Sequence, residues 1–172
     1  MSAASYPHPS SPAVSLRMSR NRGADTKPEI AVRSALHAAG LRFRKSLRVI
    51  AGEVKVRPDV VFTRARIAVF IDGCYWHCCP DHGTQPRRNE DYWSAKLAGN
   101  VARDRRVDEA LRSDGWTVIR AWEHEPPQLA VRRVLDVLSV LSAQPDSRRP
   151  TGSPKQARSS TNAASPEKCT VT

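Results

Sequence analysis

The chain has 172 residues, enough for one domain with its own core, and its formal net charge is +11. Residues 18–142 hold 22 Arg and Lys against 15 Asp and Glu, so the excess is not confined to the ends, and it favours a polyanionic partner such as nucleic acid. No apolar stretch is long enough for a membrane span, and the first residues do not resemble a secretory signal. We therefore expect no membrane association, a cytoplasmic location and reduced cysteines.

The two ends of the chain differ in composition from its middle. Residues 1–17 are rich in Ser, Pro and Ala, and residues 143–172 are rich in Pro, Ser, Thr and basic residues. Neither segment has enough large apolar side chains to offset the entropy lost on ordering. We predict that both ends are disordered and that residues 18–142 form the folded domain.

The first predicted element of the domain is a helix. Thr26 is a good N-cap, Pro28 suits the first turn, Glu29 stands three residues after the cap, and Gly40 suits the C-terminal end. Residues 41–49 alternate apolar and basic side chains, which is typical of a half-exposed strand.

The later elements alternate between strands and helices. Residues 60–62 and 67–71 are rich in β-formers on either side of a short turn, which predicts a hairpin. A long amphipathic helix is predicted over 91–113, a strand over 116–122 and a final helix over 128–141. This order predicts an α/β domain with a central mixed β-sheet flanked by helices.

The strand that ends at Ile71 leads into a loop rich in metal-binding side chains. Five Cys and His residues are crowded into positions 74–82, and three of them are spaced to bind one metal ion. The loop has few apolar side chains, and a tetrahedral zinc ion would supply the missing order. A mixed sheet can place the residue after the strand 116–122 beside this loop and so complete the site. The predicted zinc ligands are Cys74, Cys79, His82 and His124.

Two alternatives to this zinc site stay open at the level of sequence. Cys78 could replace Cys79, because spacing alone does not distinguish neighbouring residues. A buried thiol cluster with surface histidines would also account for the composition.

Two strand ends place carboxylates close to the same loop. Asp59 opens one predicted strand, and Asp72 ends the next one. A carboxylate at such a position can hold a divalent cation that activates water and stabilises the leaving oxygen of a phosphodiester, and a main-chain oxygen can add a ligand. His77 follows, and a histidine can serve as a general base because its ordinary pKa lies near the working pH.

Other residues have two interpretations each. Glu29 is equally well explained as the partner of the Thr26 cap or as an acid near the active site, and the two roles are compatible. Tyr75 and Trp76 would normally be core aromatics, but in a polar loop they suggest a wedge that enters a base stack, which Met18 on a basic arm could join.

Several separated motifs, taken in order, resemble one known family. The motifs are Asp25-Thr26-x-x-Glu29, Arg57-Pro58-Asp59, Phe70-x-x-Gly73-Cys74-Tyr75-Trp76-His77, Lys96-x-x-x-Asn100-x-x-Arg103-Asp104, Gly115-Trp116 and Trp122-Glu123-His124. Over about residues 18–124 the chain resembles the very-short-patch-repair (Vsr) DNA mismatch endonucleases.

The resemblance implies a restriction-endonuclease-like core with a structural Zn²⁺ and a catalytic Mg²⁺. It implies that the substrate is double-stranded DNA with a T:G mismatch left by deamination of 5-methylcytosine, nicked 5′ of the thymine to start very short patch repair. It also implies a functional link to a cytosine-5 DNA methyltransferase and to repair proteins, and we expect a monomer.

By position, the resemblance implies roles for individual residues. Asp59 and the main-chain carbonyl of Ile71 would bind Mg²⁺, His77 would be the catalytic histidine, and Glu29 would be an acid near the centre. The wedge would consist of Met18, Tyr75 and Trp76, the residues facing the mismatch would be Lys96 and Asn100, and zinc-ligand positions would be filled by Cys74, Cys79 and His124.

Two positions depart from the family pattern. Asp72 stands where the best-known member has a second active-site histidine, and a carboxylate there would bind metal or change the pH preference. His82 lies one residue later than the family ligand. The rival hypotheses are a restriction-type or structure-specific Mg²⁺-dependent nuclease on the same core, and a non-catalytic zinc-stabilised DNA-binding module, which leaves Asp59, Asp72 and His77 without a role.

Overall fold

The computed structural model describes Leu16, residues 24–84 and residues 89–143. The helices there are α1 (Lys27–Ala38), α2 (Glu90–Ser113) and α3 (Pro127–Ala143). The strands are β1 (Arg44–Lys45), β2 (Val49–Ala51), β3 (Val54–Val56), β4 (Val60–Phe62), β5 (Ile67–Asp72) and β6 (Thr117–Trp122). Met18 lies outside the described residues, and no helix within them is long and apolar enough to cross a bilayer.

The central sheet has the strand order β1-β4-β5-β6. β4 pairs antiparallel with both β1 and β5, whereas β5 and β6 are parallel. Parallel neighbours need a long crossover connection, and α2 supplies it. The predicted mixed sheet flanked by helices is therefore confirmed.

Residues along β4 and β5 alternate between the two faces of the sheet. On one face, Val60, Phe62, Ile67 and Val69 are buried with residues of α1 and α3. On the other face, Val61 and Ala68 lie among residues of α2 and of the β2–β3 hairpin; that cluster contains Val49, Ala51, Val107 and Leu111. Both faces are covered, which explains why β5 is a continuous apolar run up to Ile71.

The prediction of one strand over residues 41–49 is wrong. β1 has only two residues, and the chain turns at Ser46, where φ is 46°, before β2 begins at Val49. β2 and β3 form a separate antiparallel hairpin across Gly52 and Glu53, with Ala51 opposite Val54. Gly52 has a φ of 58°, a conformation that glycine adopts readily in tight turns. A glycine there was therefore a sequence signal for the hairpin, but the alternating pattern of 41–49 suggested one longer strand instead.

The other predicted elements are confirmed to within two residues at each end. The helix that starts after Thr26 ends before Gly40, whose φ of 76° suits a helix end. Thr26 is at the N-cap position but makes no side-chain capping bond; its hydroxyl donates instead to the Glu29 carboxylate at 2.8 Å.

The outer side of β6 is joined to α3 by side chains. Arg133 donates to the Arg120 carbonyl at 2.8 Å and forms two hydrogen bonds, at 2.7 and 2.8 Å, with the Glu125 carboxylate. Glu125 in turn accepts a hydrogen bond from the Trp122 N–H at 3.1 Å. α3 is thus fixed to β6 by polar contacts as well as by its apolar face.

Candidate active site and metal centre

The start of β4 and the end of β5 meet at one end of the central sheet. Because the strands are antiparallel, with Val60 opposite Val69, Asp59 lies next to the last residues of β5. The Ile71 N–H donates to Asp59 Oδ2 at 2.7 Å. The carboxylate and the main chain of Ile71, two predicted parts of one site, are therefore adjacent.

The environment of Asp59 is unfavourable for its own negative charge. Burial is the main cause that raises the pKa of Asp59 to about 6; the hydrogen bond from Ile71 lowers it, and the charges of Glu29 and Asp72 raise it further. Among the described residues, Glu29 and Asp72 each form an ion pair with an arginine, whereas Asp59 forms none. A bound cation would supply the missing positive charge.

Glu29 is buried in the first turn of α1 and accepts several hydrogen bonds. Its carboxylate accepts from the Asp25 N–H at 2.9 Å, from the Thr26 hydroxyl and from Arg33 Nη1 at 3.3 Å. Arg33 also bonds Asp25, which binds Lys45 as well. Glu29 thus stabilises the helix start while its charge acts on Asp59, so both roles predicted for it are geometrically compatible.

His77 is held by a carboxylate from α2. Its Nδ1 lies 2.5 Å from Asp104 Oδ2 and 3.7 Å from Asp72 Oδ1. Burial raises the pKa of Asp104, but the hydrogen bond with His77 and the nearby arginines outweigh this and lower it overall. With Nδ1 engaged by Asp104, Nε2 is the ring nitrogen that can exchange a proton with a substrate.

Asp72 is clamped by an arginine of β6. Arg120 Nη1 donates to both carboxylate oxygens of Asp72 at 2.8 Å. Nε of Arg120 also bonds Asp108 of α2 at 3.1 and 3.3 Å. Burial alone would lower the pKa of Arg120, but the hydrogen bonds to Asp108 and Asp72 raise it, so the guanidinium stays charged. The oxygens that a cation would need on Asp72 are therefore already engaged.

The parallel pairing of β5 and β6 brings the predicted metal ligands together. Asp72 is opposite Trp122, so Cys74 and His124, each two residues further along, meet beyond the strand ends. Cys74 Sγ lies 3.1 Å from His124 Nδ1, and Cys79 Sγ lies 3.8 Å from the same atom and 4.0 Å from His82 Nδ1.

These four ligands fit a tetrahedral metal ion. One ligand atom from each of Cys74, Cys79, His82 and His124 lies within 4.8 Å of all the others. A tetrahedral zinc site needs ligand atoms about 3.3–3.8 Å apart, so small rotations of side chains suffice. Burial and then the neighbouring Cys79 raise the pKa of the Cys74 thiol to about 11, so a cation is needed to hold the thiolate at neutral pH.

The loop between Gly73 and Gly83 is braced by main-chain contacts. The Cys74 N–H donates to Glu123 Oε1 at 2.7 Å, and the Gly83 N–H donates to the Cys79 carbonyl at 2.8 Å. A Cβ at Gly83 would lie 2.5 Å from that carbonyl oxygen, so no side chain fits there.

The aromatic residues of the loop pack on α2. Tyr75 and Trp76 contact each other edge to face, with ring centroids 5.1 Å apart, and both lie against the buried Trp93, at 6.4 and 6.1 Å. Asn100 donates to the Trp76 carbonyl at 3.1 Å, and the Lys96 ammonium lies 5.6 Å from the Trp93 ring. The two wedge residues in the described part of the chain, Tyr75 and Trp76, therefore lie on one surface with Lys96 and Asn100, the predicted mismatch-facing residues.

Sequence reasoning assigned no role to the residues that support the site. Asp104 belongs to one of the family motifs, but the motif does not predict its contact with His77. The sequence also does not predict that Arg120 binds Asp72. The available signal was helical spacing: Asn100, Asp104 and Asp108 recur every four residues and contact Trp76, His77 and Arg120 in turn. These polar residues therefore form one stripe of α2 that faces the loop and the sheet.

Comparison with known proteins gives the family. A family model described as DNA mismatch endonuclease Vsr matches residues 11–81. The chain is 54% identical over 137 residues to the type II nicking enzyme V.NaeI of Lentzea aerocolonigenes, covering 79% of this chain and 82% of that relative. It is 39% identical over 128 residues to the type II nicking enzyme V.XorIIP of Xanthomonas oryzae pv. oryzae, covering 69% and 89%.

The DNA mismatch endonuclease Vsr of Escherichia coli is 35% identical over 100 residues, covering 58% of this chain and 62% of that protein. With the site described above, these matches define a DNA endonuclease. The chain belongs to the Vsr family of DNA mismatch endonucleases.

The raised pKa of Asp59 predicts a pH-dependent effect on stability. Between about pH 4 and pH 6 the native carboxyl keeps a proton that the unfolded chain has lost, so this group makes the protein less stable as the pH rises through that window. Asp59→Asn removes the penalty and should stabilise the protein above pH 6 by at most about 3 kcal/mol, with little effect at pH 4. Urea unfolding at several pH values without added Mg²⁺ measures this difference.

Asp25→Asn is the matched control, with the opposite sign. Lys45 lowers the pKa of Asp25, so this substitution should destabilise the protein at neutral pH rather than stabilise it. Equal stability of Asp59→Asn and the parent protein at pH 8 would contradict the account of Asp59.

Proposed function

We propose that this protein nicks double-stranded DNA on the 5′ side of the thymine in T:G mismatches and so begins very short patch repair after deamination of 5-methylcytosine. One arrangement carries the proposal. Asp59, which forms no ion pair within the described part of the chain, and the His77–Asp104 pair lie at the same end of the sheet as a Cys/His cluster that could hold a metal ion. The family description, DNA mismatch endonuclease, supports the same substrate.

The proposed cation of the active site is Mg²⁺, bound by the Asp59 carboxylate and the Ile71 main-chain carbonyl. When bound, Mg²⁺ would stabilise negative charge on the phosphodiester as it is cleaved. Glu29 adds negative charge next to Asp59 and so favours a cation there. Hard oxygen ligands of this kind suit Mg²⁺.

His77 is proposed to move the proton during hydrolysis. Its Nε2 takes a proton from the attacking water, while Asp104 at Nδ1 fixes the ring and stabilises the imidazolium that forms. Asp72 lies beside the same ring but is bonded to Arg120, so we propose that it acts through the imidazole and not as a metal ligand.

The metal of the Cys/His centre is proposed to be structural Zn²⁺, in a restriction-endonuclease-like domain formed by residues 18–142. Cys79 is favoured over Cys78 because its Sγ is close to both histidines. The zinc would hold the loop that carries Tyr75, Trp76 and His77.

A second candidate function is nicking at a sequence-specific site without a mismatch. The specific observation for it is the name of the 54% identical relative, a type II nicking enzyme. A companion cytosine-5 methyltransferase fits both candidates, so the substrate has to be distinguished by assay.

The central prediction concerns Mg²⁺-dependent nicking. The protein should cut one strand of a T:G duplex 5′ of the thymine, and neither strand of matched T:A or C:G duplexes, only when Mg²⁺ is added. Asp59→Asn should abolish nicking but keep DNA binding, because a neutral amide binds Mg²⁺ poorly. Gel electrophoresis of end-labelled duplexes gives cleavage, and fluorescence anisotropy gives binding.

Mg²⁺ should be omitted rather than chelated, so that the zinc site stays intact. Asp25→Asn, which changes a carboxylate just before α1 and outside the proposed metal site, is the matched control. Wild-type nicking by Asp59→Asn would reject the mechanism, and equal nicking of matched duplexes would favour the sequence-specific candidate.

The metal centre predicts one zinc ion per chain. Cys74→Ser and Cys79→Ser should lose zinc and become insoluble or unfolded, because a structural zinc contributes folding free energy directly. Elemental analysis of the purified protein and thermal unfolding check both effects. Cys78→Ser is the matched control and should keep the metal; zinc lost from Cys78→Ser but kept by Cys79→Ser would reverse the ligand assignment.

The aromatic wedge predicts an effect on discrimination. Insertion beside a poorly stacked T:G pair costs less than beside a Watson–Crick pair, where unstacking costs on the order of a few kcal/mol. Replacing Tyr75 and Trp76 together by alanine should therefore lower activity and the preference for T:G over T:A, without loss of zinc. The nicking rates on the two duplexes give the ratio.

Trp116→Ala is the control for loss of an aromatic side chain. Trp116 precedes β6 at the opposite end of the strand, where it packs under Arg66. It should leave the T:G preference unchanged. An unchanged preference in the folded Tyr75 and Trp76 double variant would instead place mismatch recognition with Lys96 and Asn100.

A further inference from the structure

A continuous series of charged side chains, each in contact with the next, leads from α2 and β6 to the proposed catalytic histidine. It starts at Asp108 on α2, passes through Arg120 on β6 to Asp72 at the end of β5, and reaches His77 Nδ1, which Asp104 of α2 also contacts. Asp72 and Asp108 are buried, and the Arg120 side chain is 24% exposed.

We propose that Arg120 is a positioning residue for cleavage, which holds Asp72 and Asp104 in a fixed arrangement about the Nδ1 atom of His77. The inference rests on the proposed function of His77 and extends it to a residue that acts on the imidazole through Asp72 and Asp104. It assigns Arg120 a role in the reaction and Asp72 a role as the link between Arg120 and the imidazole.

The distances explain how one guanidinium does this. Nη1 is 2.8 Å from each Asp72 oxygen, Nη2 is 3.6 Å from Asp104 Oδ1, and Nη2 is 3.0 Å from Asp108 Oδ1. The planar, always charged fork of arginine suits such simultaneous contacts. The ring of Phe70, 4.8 Å from the guanidinium carbon, fixes its plane from the sheet side.

Without Arg120, two carboxylates would compete for the same ring nitrogen. Asp72 would be a buried, uncompensated charge 3.7 Å from Nδ1, and Asp104 would lose a neighbouring cation. Asp72 would then move towards His77 or towards the cation proposed at Asp59. Either movement would change the arrangement of carboxylates about Nδ1 that orients the imidazole.

The first test separates the chemical step from DNA binding. Arg120→Leu should slow single-turnover nicking of a T:G duplex at saturating protein by about 10- to 100-fold, as loss of a supporting contact does, with DNA affinity almost unchanged. Arg112→Leu is the matched control, because Arg112 also pairs with Asp108, at 3.3 Å, but with neither Asp72 nor Asp104 among the described residues. It should nick at the parent rate.

The second test does not depend on activity. In ¹⁵N NMR spectra of the zinc-loaded protein, the ring nitrogens of His77, assigned by comparison with His77→Ala, should show a proton held at Nδ1. Arg120→Leu should shift these signals and Arg112→Leu should not. This measurement tests Arg120 even if the parent protein fails to nick T:G duplexes, so failure of the proposed function is recognised separately.

The third test asks whether Arg120 acts through Asp72. If it does, Asp72→Asn combined with Arg120→Leu should be no slower than Arg120→Leu alone, because the uncompensated carboxylate has gone. Arg120→Gln provides a milder variant if Arg120→Leu does not fold. Three results would overturn the proposal. The folded Arg120 variant could nick at the parent rate with unchanged His77 signals, or the rate losses could multiply in the double variant. The third is a loss of DNA affinity that accounts for the whole effect.

Discussion

The parallel pairing of β5 with β6 is the constraint on which the rest of the site depends. With Asp72 opposite Trp122, the two strands end together, so Cys74 meets His124 and Arg120 reaches Asp72. A shift of one residue in this register would turn Arg120 to the other face of the sheet and separate the metal ligands. Two contacts at the strand ends hold that register: the Glu123 N–H donates to the Asp72 carbonyl at 2.9 Å, and Arg120 pairs with the Asp72 carboxylate.

Charge in this region is arranged so that one carboxylate is left for a cation. Glu29 is paired with Arg33 and Asp72 with Arg120, while among the described residues the Asp59 carboxylate accepts a hydrogen bond from the Ile71 N–H. Three acids near one strand end would otherwise repel each other and protonate. The arginines hold two of them in ion pairs, and the proposed cation would neutralise the third.

The sequence was sufficient for features that local signals specify. The boundaries of α1 followed from Thr26 and Gly40, and the ligand cluster followed from the spacing of the loop residues and the strand before His124. The contacts of Asp104 and Arg120 were not predicted. An acid on an amphipathic helix and an arginine in a strand normally face solvent, and their partners become clear only when α2 packs on the sheet. The β2–β3 hairpin was not predicted, because the alternation of apolar and basic residues over 41–49 suggested one strand and gave no sign of the turn at Ser46.

The contacts between α3 and β6 have a consequence for assembly. An open sheet margin exposes main-chain groups that a second chain can extend, and β6 has six residues available for this. At the β6 edge, Arg133 donates to the Arg120 carbonyl, and Glu125 accepts from the Trp122 N–H. The opposite edge strand, Arg44–Lys45, has only two residues, and both are charged. Both margins therefore resist strand addition, so the sheet is protected against edge-to-edge aggregation.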